Sequence, residues 1–448
     1  MTLSKFFFYC SSSFIFGLFF SSLFSLPFNF VLGLFVLSFI LIFVLFEYKR
    51  VPLIGIFSLF FLFGFVRYDF VKTEFVEEKE ILLVSKITSE PKETEKIKSF
   101  KINDVLVITD KYSDYQYGDK IKAVGILTKG PLLFFPEIEK IESGKGFYKI
   151  ILSFKDKLRE VINRSFSPPK SSVFSAMTIG DKHKMDNNLK EKLNISGTRH
   201  ITAISGMHIA LIGTFLIIFF MGIGLSRSLS FYFSILFLIF FVAMIGFPSS
   251  GVRAAIMGGV YMISKVNGRM NTASRNLFLT GAFMLLFNPL LIHDYGFNLS
   301  FLAVFGIIYF SPVLKENISF LKNSKNTEDA FFIALSAYVF TFPFILYNFH
   351  EVSLIAVLTN IIIIPFVYLI MVFGFLFLIF GIIFPLISFV FFIPLSLFLS
   401  IFLFIIDFFS LFPYLKIENI HFTVPLLMYL FLFILLYKFN KKSRYGRI

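Results

Sequence analysis

Apolar runs about as long as a lipid bilayer is thick recur along this chain, near 6–24, 27–46 and 51–70, and then almost without interruption from about 201 onward. A helix needs roughly 20 mainly apolar residues to cross the hydrocarbon layer, where its backbone must satisfy its own hydrogen bonds. The 448 residues are 57% hydrophobic, and the mean hydropathy is +0.82. These features predict a polytopic α-helical membrane protein with about 12 transmembrane helices. Cys10 is the only cysteine, which excludes an intramolecular disulfide and a cysteine-rich metal site within these residues. The opening MTLSKFFFYCSSSFIFGLFF has the basic flank of a signal peptide, but no A-x-A-like cleavage site follows. It reads as an uncleaved first helix.

Residues 71–146 change character, with 13 Lys against 14 Asp plus Glu and short β-type stretches. Strands are expected at 80–88, 101–109 and 117–127, separated by turn signals at Pro91, Gly118-Asp119 and Gly130-Pro131. Several short strands in so small a segment suit an inserted β-barrel of the OB type. From 147 to 166, Phe147, Ile150, Ile151, Phe154, Leu158, Val161, Ile162 and Phe166 recur at helical spacing, with Lys149, Lys155, Lys157, Arg159 and Arg164 on other faces. Such a helix either lies in the membrane surface or packs on the neighbouring domain; we expect the former over 147–170.

The apolar remainder divides into spans at 201–222, 229–247, 250–266, 276–292, 296–313, 330–349, 352–378, 383–410 and 420–438. The organisation is then three N-terminal helices (1–70), the β domain (71–146), the interfacial helix (147–170), a helical membrane domain (171–440) and a basic tail (441–448). Basic residues at Lys49-Arg50, Arg227, Lys265, Arg269, Arg275 and the tail fall on one side under this division, which the positive-inside rule makes the cytoplasm. Both termini are then inside and the β domain outside. No internal repeat of the inverted-transporter kind is evident.

This topology brings polar residues from distant parts of the chain to the outer half of the membrane. His200, Ser205 and His208 belong to the fourth span, Arg253 to the sixth, and Asp294 and Asn298 to the junction of the seventh and eighth; Asn360 follows the outer pair His350-Glu351. Ionisable groups at that depth tend to face a bundle interior or a watery path. Ser205 and His208 are spaced to share a helix face, and Gly206 leaves room for a neighbouring helix or a ligand. Arg253 needs an acceptor, either a structural partner such as a helix carbonyl or Asp294, or something that passes by. Asp294 and Asn298 are equally a helix cap and a buried glue residue, or part of the path.

Four ordered blocks, GTRHITAISGMHIALI (197–212), PSSGVRAAIMGGVYM (248–262), NPLLIHDYGFNLSFLAVFGI (288–307) and NFHEVSLIAVLTNIIIIPF (348–366), resemble the ComEC family of competence proteins. The β segment likewise resembles that family's extracytoplasmic OB-like domain. The resemblance implies a channel in the bacterial inner membrane that passes one strand of DNA inward during natural transformation. On that reading His200, Ser205, Gly206, His208, Arg253, Asp294, Asn298 and Asn360 line the pathway, while Tyr112, Tyr115 and Tyr117 offer stacking surfaces in the β domain. Many family members carry a metallo-β-lactamase-like domain. The histidines at 183, 200, 208, 293, 350 and 421 include no H-x-H pair followed by D-H, so no metal or cofactor and no enzymatic activity are expected. The implied partners are single-stranded DNA, the lipid bilayer, a separate nuclease, a DNA receptor, and a cytoplasmic motor or helicase.

The net charge of +14 suits a polyanion, but its distribution is uneven. The β domain is near neutral, and the basic excess lies in 147–200, with 11 Lys plus Arg against 5 acids. That stretch suits anionic lipid equally well. Two rival readings remain: a secondary transporter for a small solute, and an intramembrane serine protease using Ser205 with a histidine base.

Overall fold

The computed structural model describes residues 3–445 apart from short segments at 25, 44–50, 72–78, 94–96, 103–104, 111, 114, 129–131, 143–145, 183–184, 267–271 and 318–324. Three helices open the chain: α1 (Leu3–Leu23), α2 (Phe28–Phe43) and α3 (Val51–Asp69). Seven strands follow: β1 (Lys79–Lys86), β2 (Lys92–Glu93), β3 (Ile97–Ile102), β4 (Val105–Asp110), β5 (Lys120–Thr128), β6 (Leu132–Phe134) and β7 (Glu137–Glu142). Three more helices, α4 (Phe147–Ser165), α5 (Lys170–Thr178) and α6 (Asn187–Ile195), lead to α7 (Gly206–Gly222), α8 (Arg227–Met244), α9 (Ser249–Val266) and α10 (Ala273–Phe287). A 3-10 turn at Pro289–His293 precedes α11 (Tyr295–Tyr309), α12 (Ser311–Asn317) and α13 (Lys325–Phe349). The chain closes with β8 (Glu351–Ser353), α14 (Ala356–Ile383), α15 (Pro385–Phe409), β9 (Tyr414–Lys416) and α16 (Thr423–Tyr445).

Among the described residues, six helical segments are long and apolar enough to cross a bilayer, including Arg227–Met244, Ala356–Ile383 and Pro385–Phe409, and four shorter apolar helices accompany them. Many of their large apolar side chains point outward, including Phe16, Leu236, Phe389 and Phe404. In water such a surface would be costly; in lipid it is the required one. The chain is a multi-pass membrane protein.

The β domain is one sheet whose strands pair in the order β1-β5-β6-β4-β3-β2, with β7 also on β5. β4 and β6 run parallel, and a bridge between Ile87 and Ile102 joins the end of β1 to β3. Its core is Ile87, Phe100, Ile102, Val107, Ile121, Ala123 and Leu133. The single strand expected at 101–109 is two strands of a hairpin, with Ile102 opposite Val105.

The apolar face of α4 corrects another expectation. Ile151, Leu158, Ile162 and Phe166 belong to the same core as residues of α5, α7, α8, α14 and α15, so protein rather than lipid takes most of that face; Ile150 and Phe154 stay exposed. The polar side is tied down as well. Lys155 Nζ donates to Glu90 at 2.6 Å, Arg159 Nε donates to Asp181 at 2.7 Å, and Arg159 Nη2 reaches Glu90 at 3.1 Å. Burial alone would lower the Arg159 value, but Asp181, Glu90 and Asp156 raise it above the ordinary guanidinium range. The helix is thus a strut between the β domain and the membrane helices. Residues 441–445, part of the basic tail expected at 441–448, lie in α16.

Candidate functional site

The ends of several helices meet around the segment that joins α6 to α7. The expected span at 201–222 begins as helix only at Gly206, and the residues before it form a buried loop in which Ser196, Thr198, Ile201 and Thr202 are nearly inaccessible. Gly197 makes this loop possible. Its φ is +71°, and a Cβ there would sit 2.3 Å from the Ala356 Cβ at the start of α14; only glycine meets both demands. Ser196 and Thr198 hydroxyls pair at 2.7 Å, and Ser250 donates to the Ile204 carbonyl at 2.9 Å, tying the loop to α9. Backbone that is not helical at this depth is tolerated where protein or water satisfies it.

His200 therefore lies in the loop and not in the span. It is open to solvent and has a hydrogen bond with the backbone at Gly197. Ser205 is the N-cap of α7, and its backbone N–H donates to His208 Nδ1 at 3.2 Å. That nitrogen must be the unprotonated one, which leaves the proton on Nε2. Nε2 is buried and has no hydrogen-bond partner. Ser205 Oγ also lies 3.0 Å from Nδ1, closer than two residues of a regular helix surface would come, because a cap side chain folds back over the first turn.

Arg253 is 6% exposed. Its Nε donates to Ser300 Oγ on α11 at 2.7 Å, Nη1 meets the Met257 sulfur at 3.5 Å, and the guanidinium stands 5.8 Å from the Phe301 ring centre. Nη2 lies 2.7 Å from the position a Cβ on Gly206 would take. A cation–π contact contributes ~0.5–2 kcal/mol, and the hydroxyl is neutral, so no contact among the described residues cancels the charge. Asp294 does not serve. It caps α11 by accepting from the Phe297 N–H at 2.6 Å, and it also accepts from Ser249 Oγ. Asn298 donates to the Ile292 carbonyl at 2.8 Å. Both residues thus hold the junction together rather than pairing with Arg253.

Asn360, one turn beyond Ala356, has a buried Oδ1 with no partner. Farther along α9, a Cβ at Gly258 or Gly259 would meet nothing within 4 Å. The three tyrosines separate. Tyr112 is 94% exposed; Tyr115 packs on Phe100 and donates to the Ile138 carbonyl; Tyr117 lies 4.2 Å from the Tyr148 ring. Tyr148 in turn donates to the Ala243 carbonyl of α8 at 3.0 Å, which fastens the β domain to the end of the bundle where the site lies. Sequence reasoning missed Ser300 and Tyr148. A serine one turn past Phe297 in an apolar helix was a visible signal; a tyrosine on an amphipathic helix was not distinctive. His183 lies outside the described residues, among which no group of three or more His, Cys, Asp or Glu could hold a metal ion.

A family model of competence proteins matches residues 177–442, the part of the chain that contains this entire junction. The chain belongs to the competence protein family. Among its relatives, the ComE operon protein 3 of Bacillus subtilis (strain 168) is 29% identical over 230 residues, covering 51% of this chain and 29% of that protein. An uncharacterized protein of Aquifex aeolicus (strain VF5) is 27% identical over 239 residues, covering 52% of each. The chain thus matches about half or less of the length of these relatives. No solved structure matches it. The competence match covers α7, α9, α11 and α14, which carry Gly206, Arg253, Ser300 and Asn360.

Proposed function

We propose that this competence protein carries single-stranded DNA inward across the bacterial inner membrane during natural transformation. The observation that supports this most directly is a buried guanidinium with no carboxylate paired to it among the described residues, at the junction where a non-helical loop and the ends of α7, α9, α11 and α14 meet. A polyanion needs such a cation, and a folded protein ordinarily neutralises it.

About twelve crossings are proposed, namely α1, α2, α3, α7, α8, α9, α10, α11, α13, α14, α15 and α16. Both termini then face the cytoplasm, with Arg227 and Arg275 at the inner ends of their helices and the β domain outside. The strand order, the parallel β4–β6 pair and the Ile87–Ile102 bridge support an OB-type barrel for that domain. Tyr112 is its freest stacking surface for a strand. We further propose that the chain is not itself an enzyme, and that a separate nuclease, a DNA receptor and a cytoplasmic motor or helicase work with it.

Deleting the gene and measuring labelled DNA in two pools tests this. Surface-bound DNA should persist while nuclease-protected internal DNA disappears. Normal internalisation in the deletion strain overturns the proposal.

A further inference from the structure

Positive charge is stacked on positive charge at Gly206. This glycine is the first residue of α7, a helix of 17 residues, and the N-terminal end of a helix carries a partial positive charge together with backbone N–H groups that lack helical acceptors. The N–H groups of Gly206 and Met207 make no hydrogen bond to other described residues. Into this end points Arg253, more than nine-tenths buried, with Nη2 2.7 Å from the Gly206 Cβ position and without a hydrogen bond from that nitrogen. A folded chain would place a carboxylate here, as Asp294 is placed at the start of α11, but no ion pair to Arg253 exists among the described residues. His208, two residues on, adds a buried Nε2 donor without a partner.

We propose that the start of α7 and Arg253 form a seat for one phosphodiester group of the passing strand. Arg253 Nη2 and the first N–H groups of α7 donate to the phosphate oxygens, Ser300 holds the guanidinium in position through Nε, and Gly206 keeps the approach open. The seat reads backbone and not base, because its donors match phosphate oxygens. The inference rests on the transport reading, and refines it by naming the group of the strand that is held.

The test uses the full chain in phosphatidylcholine nanodiscs and three probes: a thymidine oligomer, an abasic phosphodiester oligomer of equal length, and its uncharged methylphosphonate counterpart. The first two should bind within about two-fold of each other and the third should not bind. Arg253→Met should weaken the charged probes about ten-fold and flatten the dependence of log affinity on log salt by about 0.7, the loss of one phosphate contact. Arg253→Lys should keep the slope. Gly206→Ala, which retains the charge but crowds it off the helix end, should weaken binding as well, and so serves if Arg253→Met does not fold. Unchanged affinity and slope in folded Arg253→Met, or a preference for bases over the abasic probe, overturns the seat. So does loss of co-purifying phosphatidylglycerol in that variant with oligomer binding intact, since the occupant is then a lipid headgroup. If the seat binds as expected but the deletion strain internalises DNA normally, the transport reading falls and the seat stands; the converse result removes the seat alone.

Discussion

Arg253 Nη2 occupies the space that any side chain at position 206 would enter, 2.7 Å from the Cβ position of Gly206. The two residues are therefore coupled although they come from different helices. Gly206→Ala should displace the guanidinium and break its 2.7 Å bond to Ser300, destabilising the protein by about 1–2 kcal/mol. Adding Arg253→Ala removes the obstacle, so the double variant should be more stable than the sum of the singles by ~0.5–3 kcal/mol. Thermal melts of the four proteins in one detergent measure the coupling; strict additivity would separate the two positions.

The N-terminal helices cross through a pair of reciprocal glycines. A Cβ on Gly17 of α1 would lie 1.9 Å from the Phe61 carbonyl oxygen, and one on Gly64 of α3 would lie 2.2 Å from that of Phe14. These are backbone contacts that no rotamer change relieves. Gly17→Ala and Gly64→Ala should each cost at least about 1–3 kcal/mol and lower the amount of protein in the membrane. Gly33→Ala, with nothing within 4 Å, should leave it unchanged. Equal abundance of all three variants would mean the crossing is loose.

The strut α4 depends on Glu90. Lys155 is 4% exposed at its side chain and pairs with Glu90 at 2.6 Å, while Arg159 reaches the same carboxylate. Glu90→Gln leaves a buried ammonium without its counter-charge, a loss of up to ~3–5 kcal/mol. Lys155→Met, which removes the charge and keeps an apolar stem, should be milder. Limited proteolysis should detach the β domain faster in Glu90→Gln than in Lys155→Met; the opposite order would show that the pair is not holding the domain.

Much of this architecture was legible before the fold was seen, because a spanning helix announces itself by length and apolarity alone. The spans expected at 229–247 and 250–266 differ from α8 and α9 by a few residues at most. The start of α7 was not legible. Ile201 and Ile204 prolong the apolar run, and only the contact of Gly197 with Ala356, more than 150 residues away in sequence, shows that this stretch is a loop. The site was half legible for the same reason. That Arg253 requires an acceptor follows from hydropathy, but its true neighbours, Ser300 and Gly206, are set by helix packing that no single-chain pattern encodes. Asp294 and Asn298 were ambiguous in sequence because polar groups near a helix start carry the same signature whether they cap or line a path.

Alkali probes the joint between the β domain and the bundle. Burial, Glu90 and Tyr117 raise the Tyr148 phenol to about 12, against about 10 in an unfolded chain. The folded state thus keeps a proton that the unfolded state releases. The resulting stabilisation is complete below the unfolded value and is lost as pH rises through the folded one. Wild-type stability should hold to about pH 10 and then fall toward 12. Tyr148→Phe should be less stable at neutral pH, for want of the bond to the Ala243 carbonyl, and should lack that part of the alkaline decline. Identical alkaline profiles would remove Tyr148 from the joint.

Ser205 and His208 allow the sharpest separation of a conduit from a hydrolase. The 3.0 Å approach of Ser205 Oγ to His208 Nδ1 is a distance at which a base can activate a hydroxyl, and a serine enzyme would lose all function in Ser205→Ala. In a conduit the same contact is a helix cap, so Ser205→Ala should cost about 0.5–2 kcal/mol of stability and leave DNA uptake largely intact. Substitution of His208 then reports what its free Nε2 does. Gln at this position can accept from the Ser205 N–H with its oxygen, as a capping box does, and still offer N–H donors in place of Nε2. Glu retains the acceptor but brings a negative charge and no donor. His208→Gln should keep both abundance and uptake, whereas His208→Glu should keep the cap and lose uptake by repelling the polyanion. His208→Ala should lower abundance by losing the cap. If His208→Glu transports normally at wild-type abundance, Nε2 faces no strand; if Ser205→Ala abolishes uptake in a fully abundant protein, the nucleophile reading replaces the conduit.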